Sequence, residues 1–120
     1  MGWTENNYSL ANNINLKEIE RELSSLVNEF ADILEQRYEL IEFVRGEKKD
    51  RCFKVADNEF VYPAYMYGGT NNAFHNLVIV YSDSIDNMTR NDEEEGGQFF
   101  PEDFESKEAM FAAMLKEIEG

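Results

Sequence analysis

The side chains able to do acid–base, nucleophilic or metal chemistry are few: one histidine, His75, one cysteine, Cys52, and 25 carboxylates set against 11 lysines and arginines. His75 stands in the Asn-rich stretch "NNAFHN". Proton transfer near neutral pH needs a partner that orients or charges the imidazole, and the sequence marks none, so His75 reads as a loop histidine. Cys52 lies between Arg51 and Phe53, with no second cysteine or second histidine to complete a ligand set, and reads as a small buried residue of a strand. The glycines of "YGGTNNAF" suggest a backbone phosphate cradle, but no Lys-Ser/Thr follows them and the surrounding chain is acidic. The oxygens of "NDEEEGG" suit a hard cation such as calcium, yet the alternating spacing of a calcium loop and its distal Glu are absent. Tyr62, Tyr65, Tyr67 and Tyr81 would stack on single-stranded nucleic acid only beside a positive groove, and the charge has the wrong sign. No catalytic residue, metal site or cofactor is therefore assigned, and the chain is expected to bind rather than to catalyse.

The elements that must position these groups follow from periodicity. Leu16, Ile19, Leu23, Leu26, Val27, Phe30, Ile33 and Leu34 recur three or four apart, the stripe of an amphipathic helix. Asn15, with Glu18 three residues on, caps its start, and the end is expected near Gln36. The segments "YELIEFV", "RCFKVA" and "EFVYPAYMY" are short and rich in aromatic and β-branched residues, with "RGEKKD" and "DN" as turns between them. They predict a three-stranded meander. "GGTNNAFHN" is then expected to be a loop before "LVIVYS", an apolar run without alternation that predicts a central strand buried on both faces. A weaker strand is expected over residues 86–90. The last element, "SKEAMFAAMLKEIE", is a helix capped by Ser106 with Phe111, Met114, Leu115 and Ile118 on one side. The predicted fold is α+β: an N-terminal helix, a four- to five-stranded mostly antiparallel sheet and a C-terminal helix, both helices on one face, in a single domain over residues 1–120. Residues 1–14 are expected to form a flexible N-terminal segment.

A chain of 120 residues with 42% hydrophobic content, nine Phe and six Tyr can bury one core without disulfide or metal support. One cysteine excludes an internal disulfide, the N-terminus has neither a basic region nor an apolar run, and residue 6 is Asn where a myristoylation pattern wants Ser or Thr. The charge-free residues 61–82 are interrupted by Pro63, two glycines and several polar residues, so they belong to a soluble core rather than a membrane span. A cytoplasmic protein without membrane contact is expected.

Charge carries the functional reading. The net charge is -14, whereas roughly 2 to 8 suffices to keep a small domain soluble, and excess charge works against compactness. All twelve acids of residues 61–120 lie at or after Asp83. A concentrated negative field interleaved with aromatic anchors suits capture of a basic protein surface. The expected contact residues are Asp92, Glu93, Glu94, Glu95, Phe99, Phe100, Glu102, Asp103, Phe104, Glu105 and Glu108. The expected partner is a basic protein, a nuclease or another nucleic-acid-binding protein, bound by a chain that is monomeric when free. In size, charge and single-domain simplicity the whole chain resembles bacterial immunity proteins that neutralise nuclease toxins, and phage-encoded DNA-mimic inhibitors of restriction or CRISPR effectors, without sharing a diagnostic motif with either. The alternative is an adaptor or oligomerisation domain that pairs through the helix stripe of residues 16–34. An enzyme of unidentified type ranks third.

Overall fold

The computed structural model describes residues 16–45, 48–68, 74–84 and 94–120. The expected flexible segment 1–14, the capping Asn15, the expected strand at residues 86–90, and Asp92 and Glu93 lie outside them. Helix α1 spans Leu16–Glu35, strands β1 to β5 span Glu39–Arg45, Lys48–Ala56, Glu59–Gly68, Phe74–Ser82 and Glu94–Phe99, and helix α2 spans Lys107–Glu119. The strands form one antiparallel sheet in the order β1-β2-β3-β4-β5, so sequence neighbours are spatial neighbours throughout. The architecture is α+β.

Helix α1 forms because its apolar stripe has a core to enter: Ile19, Leu23, Leu26, Phe30, Ala31 and Leu34 are buried. It closes where the amides of Gln36 and Arg37 turn back to the carbonyls of Ile33 and Leu34, and Tyr38 then leads into β1. Helix α2 starts at Ser106, whose hydroxyl accepts from the amide of Ala109 at 3.1 Å, and it buries Met110, Phe111 and Met114. The helices meet through Phe30 and Phe111, ring centroids 5.6 Å apart. Both cover the sheet face that presents Phe53, Val61, Leu77 and Ile79. Full burial of side chains such as Leu23, Phe30 and Ile79 stabilises by roughly 1.5–3 kcal/mol each.

The opposite face holds a second cluster of Cys52, Tyr62, Val78 and Val80. Residues 77–80 are thus buried on alternating sides, as their unbroken hydrophobicity implies. Strand β4 is interior, paired with β3 and β5, while the middle position belongs to β3. Asn58, with φ of 57°, turns the chain between β2 and β3, a left-handed conformation that Asn tolerates. Pro63 sits in the middle strand without breaking a ladder because the β2–β3 pairing ends at Val61.

Three expectations are corrected. Strands β3 and β4 reach Gly68 and Phe74, well into the expected loop, because every residue from Phe60 to Gly68 has a partner across the pair, Gly68 opposite Phe74 and Tyr67 opposite His75. His75 is accordingly a buried strand residue, not a loop residue. The fifth strand is the acidic, glycine-containing Glu94–Phe99, a stretch expected to serve as contact surface and given no strand from the sequence, and it pairs with the remaining edge of β4.

Candidate partner-binding surface

The C-terminal acidic stretch folds as edge strand β5, a single 3-10 turn at Pro101–Asp103 and the first turn of α2. Strand β5 pairs Leu77 with Phe99 and Val78 with Gln98, then Val80 with Glu95, so Gly96 and Gly97 together oppose Ile79 in a bulge. A bulge leaves a backbone donor without a ladder partner. Here the amide of Gly97 donates to Oε1 of Glu117 at 2.9 Å, and the Tyr81 hydroxyl donates to the other oxygen, Oε2, at 3.0 Å. One carboxylate of α2 thereby ties β5 and β4 together. Burial, then the Glu117 carboxylate, raises the Tyr81 phenol above its ordinary pKa, which keeps it a donor.

Both glycines are required by contact. A Cβ on Gly96 would overlap the Tyr81 ring, with Cδ2 at 2.9 Å and the Ile79 carbonyl oxygen at 3.0 Å, and one on Gly97 would overlap the Glu117 carboxylate. Sequence reasoning missed Tyr81 and Glu117 as the support of this stretch. The adjacent glycines were the only trace of them.

Of the expected contact residues, Glu102, Asp103, Glu105 and Glu108 are exposed on the turn and on α2. Glu94 and Glu95 belong to β5, placed by their backbone pairing with Tyr81 and Val80. Phe99 and Phe104 pack against the helix-side core and serve the fold. Phe100 is half-buried and belongs to neither core cluster, which makes it the aromatic nearest to an exposed anchor. Among the described residues no Lys or Arg side-chain nitrogen lies within 4.0 Å of a carboxylate oxygen of Glu102, Asp103, Glu105 or Glu108. The neighbour of Glu102 is His75, with Nε2 at 3.7 Å from Oε2. Burial lowers the His75 pKa against the opposing pull of Glu102, so the imidazole is neutral at pH 7 and leaves the carboxylate charge uncompensated.

Cys52 is fully buried and its thiol is pushed up to about 12 by burial, so it is no nucleophile at neutral pH. Among the described residues no three His, Cys, Asp or Glu side chains converge to hold a metal ion, and no helix is long and apolar enough to cross a membrane. A groove of about 700 Å³ runs along α1 beside Tyr65, lined by Glu20, Arg21, Ser24, Asn28, Glu29 and Asp32 among others. The apolar stripe of α1 faces inward, so pairing with another chain through Leu23, Phe30 or Leu34 would require opening the core.

No family model matches the chain, and comparison with curated proteins and with solved structures gives no significant match. The functional reading rests on the molecule's own charge and geometry.

Proposed function

We propose that this chain is a small acidic inhibitor that binds the basic site of a nucleic-acid-processing protein and so excludes the nucleic acid, in the manner of an immunity protein against a nuclease toxin or a phage DNA-mimic inhibitor. One observation carries the reading: no basic residue occurs between Arg90 and Lys107 while seven acids do, and the described carboxylates from Glu102 to Glu108 point to solvent without a cationic neighbour beyond the charge of Lys107 at the helix start. A field of this sign repels DNA and RNA and attracts the proteins that bind them. The contact surface comprises Glu94, Glu95, Glu102, Asp103, Glu105 and Glu108, with Phe100 as anchor.

The test is capture from a bacterial lysate at low salt, followed by competition with duplex DNA and a nuclease assay of the captured protein. The quadruple variant E102Q/D103N/E105Q/E108Q is run beside it after its fold is verified, since Glu108 in the first turn of α2 also interacts favourably with the helix dipole. The expected result is a basic partner that DNA displaces and the variant fails to hold. A partner retained equally by the variant, or indifferent to saturating DNA, refutes the reading.

A further inference from the structure

An antiparallel sheet of order β1-β2-β3-β4-β5 has two edges, and an edge strand presents a row of backbone N–H and C=O groups that can template another strand. Among the described residues no strand pairs with the outer side of β5. Edges are commonly blunted by lysine, proline, other charges or a bulge; β5 contains no lysine or proline, and carries two glutamates and a bulge instead. Its bulge is pinned by the Glu117 carboxylate through Gly97, and Tyr81 holds that carboxylate from β4. The edge is therefore set in place before any partner arrives, which lowers the ordering cost of binding.

The two edges differ in charge. Strand β1 adjoins a hairpin carrying Arg45, Lys48, Lys49 and Arg51, while β5 begins with Glu94 and Glu95 and runs toward Glu102 and Asp103. Resting on the partner class argued above, we infer that β5 is a docking edge to which the partner adds an extended, lysine- or arginine-rich segment as a sixth strand. Backbone hydrogen bonds along Glu94–Phe99 give that segment its hold, and the flanking carboxylates select its charge. A second copy of this chain is the poorer occupant, because it would bring its own Glu94 and Glu95 to the same edge.

The experiment uses an eight-residue peptide of alternating Lys and Val, and the same peptide N-methylated at every residue, which keeps the charge but removes the backbone donors. Affinities are measured by calorimetry at low salt, and amide exchange of β5 is followed by NMR. The expected result is that N-methylation weakens binding about tenfold or more, as loss of two or three backbone hydrogen bonds implies, with new protection confined to Glu94–Phe99. Equal binding of the two peptides, with shifts at Glu102 to Glu108, overturns strand addition and leaves the acidic-surface reading standing. No binding of either peptide, or concentration-dependent dimerisation that protects β5 without peptide, overturns the inference. The lysate capture and its neutralised variant report on the partner class separately.

Discussion

Replacing Gly96 by Ala isolates the contact that holds the acidic edge. Gly96 does not have positive φ, so on backbone grounds alone the substitution would stabilise by about 0.4–1 kcal/mol through the unfolded chain. The added methyl instead overlaps the Tyr81 ring, which must swing away and surrender its 3.0 Å bond to Glu117. Overpacking of this kind costs about 1–3 kcal/mol, and the phenol–carboxylate bond contributes about another 1 kcal/mol because water reaches both half-buried partners. The expected net loss is about 2–3 kcal/mol, seen in the urea midpoint and as a fall in Tm of roughly 6–15 °C. In a Tyr81→Ala background the same methyl meets only the Ile79 carbonyl, and its cost should fall below about 1 kcal/mol. An equal loss in both backgrounds, or a stabilised single variant, would refute the assignment of Gly96 to the ring contact.

Four further outcomes follow from groups elsewhere. Burial holds the folded His75 pKa below its ordinary value near 6.5, so its contribution to stability is complete above that pH. As pH falls the unfolded chain protonates first and stability drops until the folded imidazole also protonates. The lone histidine resonance should titrate low by NMR, lower still in Glu102→Gln, and an ordinary pKa would contradict this. Cys52 should resist an aromatic disulfide at pH 8 until urea unfolds the chain, and rapid labelling of the native protein would contradict its burial. Arg51 joins β2 to α1 through Asp32 at 2.7 Å, Glu35 at 3.4 Å and the Asn28 carbonyl at 3.0 Å. Arg51→Met should cost about 1 kcal/mol, small because Asp32 and Glu35 are well exposed, and an unchanged urea midpoint would deny the tie a role. Raising sodium chloride from about 0.05 to about 0.5 M, a span over which the Debye length falls from about 14 to about 4 Å, should stabilise the free protein while slowing partner association, and salt-induced destabilisation would argue that ion pairs outweigh self-repulsion.

How much was legible depended on whether a signal was local. The three-four spacing of Ile19, Leu23, Leu26, Phe30 and Leu34 marks a helix because the period is a property of the helix itself. Cys52 was placed correctly because its neighbours already define a strand. Strand β5 was not legible: "EEGGQF" carries two acids and two glycines, all depleted in strands, and it is a strand because β4 offers an open edge and Glu117 accepts the bulge amide. His75 was misplaced because its Asn neighbours favour loops, a local preference overridden by pairing with Tyr67. Nor could sequence sort three closely spaced phenylalanines. Phe99 and Phe104 pack on the helix-side core and Phe100 does not, a division set by pleat and turn.

The placement of the few cations explains why the negative field is concentrated rather than uniform. Arg51 is drawn to Asp32 and Glu35, Lys107 to Glu29 at 2.8 Å, and Arg37 to Glu119 at 3.6 Å, so basic side chains are engaged along the flanks of the two helices. Each such pair is individually weak at the surface. Their joint effect is one of distribution: the acids of α1 are partly countered, while Glu102 faces an imidazole kept neutral by burial and Asp103 and Glu105 have no described basic side chain within 4.0 Å. Screening limits the reach of these charges to about 8 Å at physiological salt, so the field matters only for a partner already close to the turn and to β5. That is where the pinned bulge and Phe100 lie. On the proposed reading, steering and anchoring would fall on one small surface, and the same carboxylate, Glu117, that fixes the strand by its two hydrogen bonds contributes to the charge behind it.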